Sequence, residues 1–281
     1  MTTQDAGRMT TEPPGGRSGP LRMLRLTWYL SGVSLHRLTE YRLDFLLGAG
    51  SFAVRLTLQA VVVGIVFLHV PTIGGWDYYQ VLFLLGYSFL PRGLDHLFTD
   101  QLWEVGRKLV QRGEFYRYLI RPVNPLYLVL SERFCYPDGL GELLTGLFTA
   151  GFAASRLGLH LTPLRIALTA GLVVCGALIH SSVKLLFASL SFWTTTSLSA
   201  MTAANDIADF TRYPMDIYHG PLRWLLTWPL PYAFTSYVPA SYLLFGSTRY
   251  LWWTPVVTAV AVAVSYRVWS AGVARYETTG S

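Results

Sequence analysis

IALTAGLVVCGALIHSSVKLLFASLSFWTTTSLSAMTAAN, residues 166–205, runs for 40 residues with one charge, Lys184. A helix crosses a bilayer in roughly 20 apolar residues. The stretch therefore predicts two membrane spans, with a turn near 186–191. The whole chain agrees with this reading. Of its 281 residues, 52% are hydrophobic and only 14% are charged, against about 25% charged in soluble domains. Too little polar surface is available for a soluble globular enzyme, and too much apolar surface for a disordered chain. The two cysteines, Cys135 and Cys175, lie in separate apolar segments and make neither a disulfide framework nor a zinc site.

Outward from this stretch, the pattern predicts an all-α integral membrane protein with six transmembrane helices. Residues 1–20 are rich in Gly and Pro and read as a disordered cytosolic tail. Residues 21–44 mix Leu, Trp28 and Tyr29 with Arg22, Arg25, Arg37 and Arg42. They are too charged to span and suit a helix lying in the headgroup region. Spans are expected near 45–70, 79–99, 135–156, 164–186, 190–211 and 250–269, with Trp76 and Tyr78 as interface anchors. Between the last two spans, 224–248 has no charge, but Pro229, Pro231 and Pro239 interrupt it. Each proline inside a helix costs about 3 kcal/mol. A pair of short helices that enter the membrane and return fits better than one straight span. Such breaks are tolerated where protein or a water-filled cavity satisfies the backbone.

The net charge of +6 is distributed unevenly. On one expected side lie Arg8, Arg17, Arg22, Arg25, Arg37 and Arg42, six basic residues in 100–133, and Arg267 and Arg275. The other side has Arg156, Arg165, Arg212, Arg223 and Arg249. That is 14 against 5, which places both termini in the cytoplasm. The basic excess thus reads as topology, and no nucleic-acid partner is expected.

Motifs for soluble catalysis are missing. The sequence has no G-x-x-x-x-G-K-[ST] loop to cradle ATP phosphates, no metal-ligand spacing among its six histidines and no G-x-S-x-G elbow. No cofactor and no metal are expected. A membrane-embedded lipid-modifying enzyme would need a convergent acid/base pair, and none has useful spacing. The charges inside the spans mark the candidate translocation path: Arg55, Arg92, Asp95, Lys184 and Asp206. Arg92 and Asp95 are three apart and suited to pair on one helix face. Lys184 is expected to snorkel to the cytosolic end of its span. Arg55, with Gln59 one turn on, suits an interior or subunit contact. Asp206 and Asp209 are expected near the outer end of the fifth span, paired with Arg212 or attracting a cationic solute.

The 100–133 loop carries a second candidate site. Glu104 and Lys108 form an i,i+4 pair in the favourable order. Gly113 then breaks the chain, and Glu114 opens a short helix, EFYRYLI, at its positive end. Arg121-Pro122 closes it. Phe115, Tyr116 and Tyr118 beside Arg117 and Arg121 combine aromatic and guanidinium groups, the usual anchors of protein interfaces. A membrane-surface helix held by anionic lipid is the alternative reading.

RGEFYRYLIRPVNPL (112–126) resembles the signature loop of a family of bacterial ABC-2-type transporter permeases, formerly a family of unknown function. EYRLDFLLG (40–48), IGGWDYYQVLFLLG (73–86), SFWTTTS (191–197), RYPMDIY (212–218) and LTWPLPYAFTSYVPASYLL (226–244) match in order, across about 20–275. Tyr116 departs from the family pattern, which has an acidic residue there. The resemblance implies an ABC-2, type V exporter-like permease domain over 21–275 in the bacterial inner membrane. It implies an N-terminal interfacial helix, re-entrant helices before the last span, and a coupling helix at about 113–120 carrying Gly113, Glu114, Phe115, Arg117, Tyr118 and Arg121. It further implies two protein partners, an ABC ATPase subunit and a second permease subunit in a homo- or heterodimer, and export of a small hydrophobic or cationic compound. The alternative is a secondary transporter or channel that uses the in-membrane charges.

Overall fold

The computed structural model describes residues 42–132, 137–160, 162–194 and 197–279. The expected tail at 1–20 and nearly all of the expected interfacial helix at 21–44 lie outside them, as does Cys135. The described residues are helical, with no strand among them. Among the described residues, nine helices of eight residues or more carry the fold: α1 (Arg42–Phe67), α2 (Tyr78–Thr99), α3 (Pro125–Glu132), α4 (Pro137–Arg156), α5 (Pro163–Ser189), α6 (Ser197–Ala208), α7 (Gly220–Thr227), α8 (Tyr237–Phe245) and α9 (Trp253–Thr279). Shorter helical turns join them.

Of the described helices, three stretches are long and apolar enough to cross a membrane: Gly50–Phe67, Pro163–Phe192 and Trp253–Tyr276. The remaining expected spans form helices of another character. Helix α2 carries Arg92 and Asp95 after Pro91, and both charges are buried. Helix α6 has 12 residues, about 18 Å at roughly 1.5 Å per residue, against a hydrocarbon layer of about 30 Å. Helix α5 ends at Ser189, followed by a turn at Leu190–Phe192, where the sequence predicts the break.

The bundle begins at Asp77, whose side chain accepts from the Gln80 backbone while the Gln80 side chain accepts from the Asp77 backbone, both at 2.9 Å. This reciprocal cap fixes the start of α2. Helices α2 and α4 then pack antiparallel through glycines spaced seven apart, Gly86 and Gly93 facing Gly139 and Gly146. A Cβ at Gly93 would sit 2.8 Å from the Leu143 nitrogen, and one at Gly139 2.7 Å from the Gly93 oxygen. In a bilayer, where the hydrophobic effect between helices is weak, such backbone approach is what holds them. Val81, Leu84, Leu85, Phe89 and Ala153 fill the core here, at the end of the bundle where α2 begins. A second cluster, with Leu102, Val105, Leu109, Phe115, Met201 and Trp269, fills the other end.

Helices α7 and α8 form a hairpin. Its connector, Trp228–Ser236, includes Pro229 and Pro231 and one tight turn at Tyr232–Phe234. That connector reaches the middle of α5: a Cβ at Gly176 would lie 2.8 Å from Pro91 and 3.1 Å from the Thr235 oxygen. Both outer ends of the hairpin return to the turn after α1. Gly74 meets Asp216 and Ile217 on one side. Trp76 packs on Tyr237 and Phe245, with ring centroids 5.8 and 4.9 Å apart. Trp76 is therefore 3% exposed and corrects the expectation of a lipid-facing anchor: it is the clasp between this turn and α8. Tyr78 does stand near the surface, edge-on to Phe67. The three prolines produce the predicted pair of short helices, with Pro239 tolerated in the first turn of α8.

Candidate functional site

Of the in-span charges, Arg92, Asp95 and Lys184 converge on the C-terminal half of α2. Lys184 of α5 reaches across to Asp95 at 2.7 Å, Asp100 at 2.9 Å and the Thr99 hydroxyl at 3.4 Å. Asp95 also accepts from Ser181 at 2.7 Å and from Thr99. One turn earlier, Arg92 lies 3.6 Å from Glu142 of α4, donates to Asp209 beyond α6 and reaches Asn205 at 3.3 Å. His96 bonds Glu142 at 2.7 Å, and Arg212 joins Asp209 at 2.8 Å while stacking 4.9 Å from the Phe89 ring. Four helices are thus tied by one network, with Asp95 2% and Glu142 1% exposed.

This arrangement corrects several expectations. Arg92 and Asp95 do not bond each other: at three residues' spacing their side chains splay to different helices, Arg92 toward α4 and α6 and Asp95 toward α5. Lys184 does not snorkel. It is buried, because two carboxylates lie closer than any interface. Asp209 is level with Arg92, in mid-bundle, because α6 is too short to carry it to the outer end. Arg212 takes Asp209, not Asp206, and Asp206 is exposed. Arg55 is exposed on α1 with its guanidinium 5.7 Å from the Phe52 ring. Glu142, His96 and Asn205 belong to the network although no sequence spacing singled them out. Only the tertiary packing of α2, α4 and α6 unites them.

The second site is the turn between α2 and α3. After α2 the chain makes a helical turn at Leu102–Glu104 and a wider π-turn at Val105–Leu109. Glu104 bonds Lys108 at 2.9 Å, as the spacing predicts. Gly113, with φ +70°, reverses the chain in a conformation that L side chains rarely adopt. The helical turn that follows is Tyr116–Leu119, so it opens two residues later than Glu114.

Phe115 points inward. It is fully buried among Phe192, Tyr276 and Trp269, with ring centroids 5.0, 5.4 and 5.7 Å away. Tyr118 is buried as well, its hydroxyl on Glu132 of α3. Arg117 bonds the same carboxylate at 3.0 Å and lies over the Tyr118 ring. Burial, and then the bond to Glu132, push the Tyr118 phenol up to about 12, so it stays a neutral donor at physiological pH. Gln101 donates to Glu132 at 3.0 Å, which fastens α3 to the end of α2. Phe115 and Tyr118 are therefore internal anchors of the turn. The outward face consists of Tyr116 at 60% and Ile120 at 73% exposure, flanked by Arg112, Arg117 and Arg121. The sequence reading counted Tyr116 among the aromatics of this helix and missed Ile120, whose signal was the helical period itself, since 116 and 120 are one turn apart and opposite 115 and 118.

Among the described residues no group of His, Cys, Asp and Glu has the arrangement to hold a metal ion. The profile of the family described as ABC-2 family transporter protein matches residues 53–280. No curated protein and no solved structure matches the chain.

Proposed function

The chain belongs to the ABC-2 family of transporter proteins, and from that premise we propose that it is the permease subunit of an ATP-driven exporter, energised by a separate ATPase subunit docked on the turn at 113–121. The observation that carries this reading is the two-sidedness of that turn. Its inner side is clamped by Phe115 and by the Arg117–Tyr118–Glu132 cluster. Its outer side leaves Tyr116 and Ile120 bare between three arginines. A knob that is rigid within and apolar-basic without transmits displacement, and aromatic and Arg anchors suit a protein partner.

The remaining topology follows the same reading. The chain sits in the bacterial inner membrane with both termini cytoplasmic. Helices α1, α2, α4, α5 and α9 cross, α6 crosses in part, and the α7–α8 hairpin dips in from the outside and returns. A second permease subunit covers the exposed face of α1, where Arg55 would otherwise meet lipid at a cost of about 3 kcal/mol. The cargo is a small hydrophobic or cationic compound. The ion-coupled alternative is disfavoured by the network, since Arg92, Asp95 and Lys184 each have internal partners.

The test is affinity purification of the chain in mild detergent, with recovery of an ABC ATPase subunit as the readout. Tyr116→Ala with Ile120→Ala should lower ATPase recovery at least about tenfold, the effect of losing two interface anchors, while the melting temperature of the permease holds. Recovery at the wild-type level removes the docking assignment.

A further inference from the structure

At the outer end of the bundle, the α7–α8 hairpin and the turn after α1 enclose a cleft of about 280 Å³, walled by Trp76, Tyr237, Phe245 and Tyr250. Two arginines line it, Arg223 from α7 and Arg249 from the loop after α8, against one carboxylate, Asp216. A neighbouring cavity of about 220 Å³ shares Arg223, Tyr237 and Tyr250 with it and extends along α7. None of these residues takes part in the ion network or the cytosolic turn.

Both oxygens of Asp216 are engaged. Oδ1 lies 3.4 Å from Arg223, and Oδ2 accepts from the Tyr237 hydroxyl at 2.8 Å. Asp216 therefore orients Arg223 and is itself neutralised. Arg249 lies over the Tyr250 ring at 5.1 Å, with no carboxylate in salt-bridge range among the described residues. The cleft keeps one uncompensated positive charge and a guanidinium fork fixed on its rim. Such forks match the oxygens of a phosphate. Trp224, Trp252 and Trp253 are exposed around this end, and tryptophans so placed mark the headgroup level of a bilayer. Apolar walls beside a basic rim suit a molecule with both a phosphate and an apolar body.

We propose that this cleft binds the phosphate group of an anionic amphiphile, with Arg223 and Arg249 holding the phosphate and Trp76, Tyr237 and Phe245 lining the entry. The site stands independently of the transport assignment.

The experiment uses the full chain in nanodiscs of phosphatidylcholine with or without phosphatidylglycerol. Lipid retained on the protein is counted by native mass spectrometry, and binding of radiolabelled inorganic phosphate is measured in the phosphatidylcholine discs. The wild type should retain phosphatidylglycerol in preference to phosphatidylcholine. R223Q/R249Q should lower that preference at least about tenfold, the scale of one charge-assisted hydrogen bond. R156Q, which removes an exposed arginine at the end of α4 outside the cleft, should leave it unchanged. Displacement of the lipid by inorganic phosphate identifies a lipid headgroup as the source. Phosphate binding without lipid preference supports the same site and identifies a soluble phosphate-bearing ligand. Absence of both, or a double variant equal to the wild type, overturns the proposal.

Discussion

Replacing Lys184 with Met tests whether the buried network holds the bundle together. Methionine keeps the length and the apolar stem, so the lesion is electrical. It leaves Asp95, 2% exposed, with only Ser181 and Thr99 as donors, and leaves Asp100 with His96 at 4.0 Å. Stranding one member of a buried pair costs about 3–5 kcal/mol. For a chain of this size roughly 2–4 °C is lost per kcal/mol, so the midpoint should fall by about 6–20 °C. The assay is thermal unfolding in detergent, followed by near-UV signal and by the onset of aggregation. A second variant, Lys184→Met with Asp95→Asn, removes the stranded charge and keeps the Ser181 and Thr99 bonds. It should recover half or more of the loss, as coupled neighbours do. Lys108→Met is the surface control. It breaks an ion pair of similar length, 2.9 Å to Glu104, but with the lysine 41% exposed, where such pairs are worth under about 1 kcal/mol. If Lys184→Met melts no lower than Lys108→Met, or if adding Asp95→Asn recovers nothing, the network is not what ties α2 to α5.

Two further outcomes follow from the same structure. Phe115→Ala should cost about 3–5 kcal/mol by emptying a fully packed aromatic site, so its loss of ATPase recovery should come with a lower melting temperature, unlike that of Tyr116→Ala with Ile120→Ala; an unchanged melting temperature would return Phe115 to the interface. Single cysteines at Tyr213 and Thr248, in a chain lacking Cys135 and Cys175, should both react with an impermeant maleimide added from outside. Labelling from opposite sides would make 224–248 a span.

What the sequence made legible was whatever depends on composition and on local backbone chemistry. Apolar length located α1 and α5 to within a few residues and the start of α9, whose helix runs ten residues past the expected end at 269. Pro229 and Pro231 located the hairpin connector, because the missing N–H groups and fixed φ act wherever those residues sit. Gly113 located the reversal before the turn at Tyr116–Leu119. What stayed hidden depends on which helix faces which. Lys184 and Asp95 are 89 positions apart in the chain, and nothing in either neighbourhood specifies the other. The i,i+3 rule offered Arg92–Asp95 instead, and tertiary packing overrode it. The same holds for Phe115 and Tyr116: each is an aromatic in a short basic turn, and only the position of Trp269 and Phe192 decides which is inside.

The two sites are joined by contiguous contacts. From the exposed face of the turn, Arg117 and Tyr118 lead to Glu132, and Glu132 to Gln101 just beyond α2. Along the end of α2, Asp100 and Asp95 lead to Lys184 of α5, and Arg92 leads to Asp209, where α6 gives way to the segment that enters the hairpin. Because α6 stops in mid-bundle, Arg92 of α2 meets Asp209, and through it Arg212, directly on the segment that leads to α7. Under the proposed function, these contacts are the path by which a displacement of the 113–121 turn would reach the hairpin.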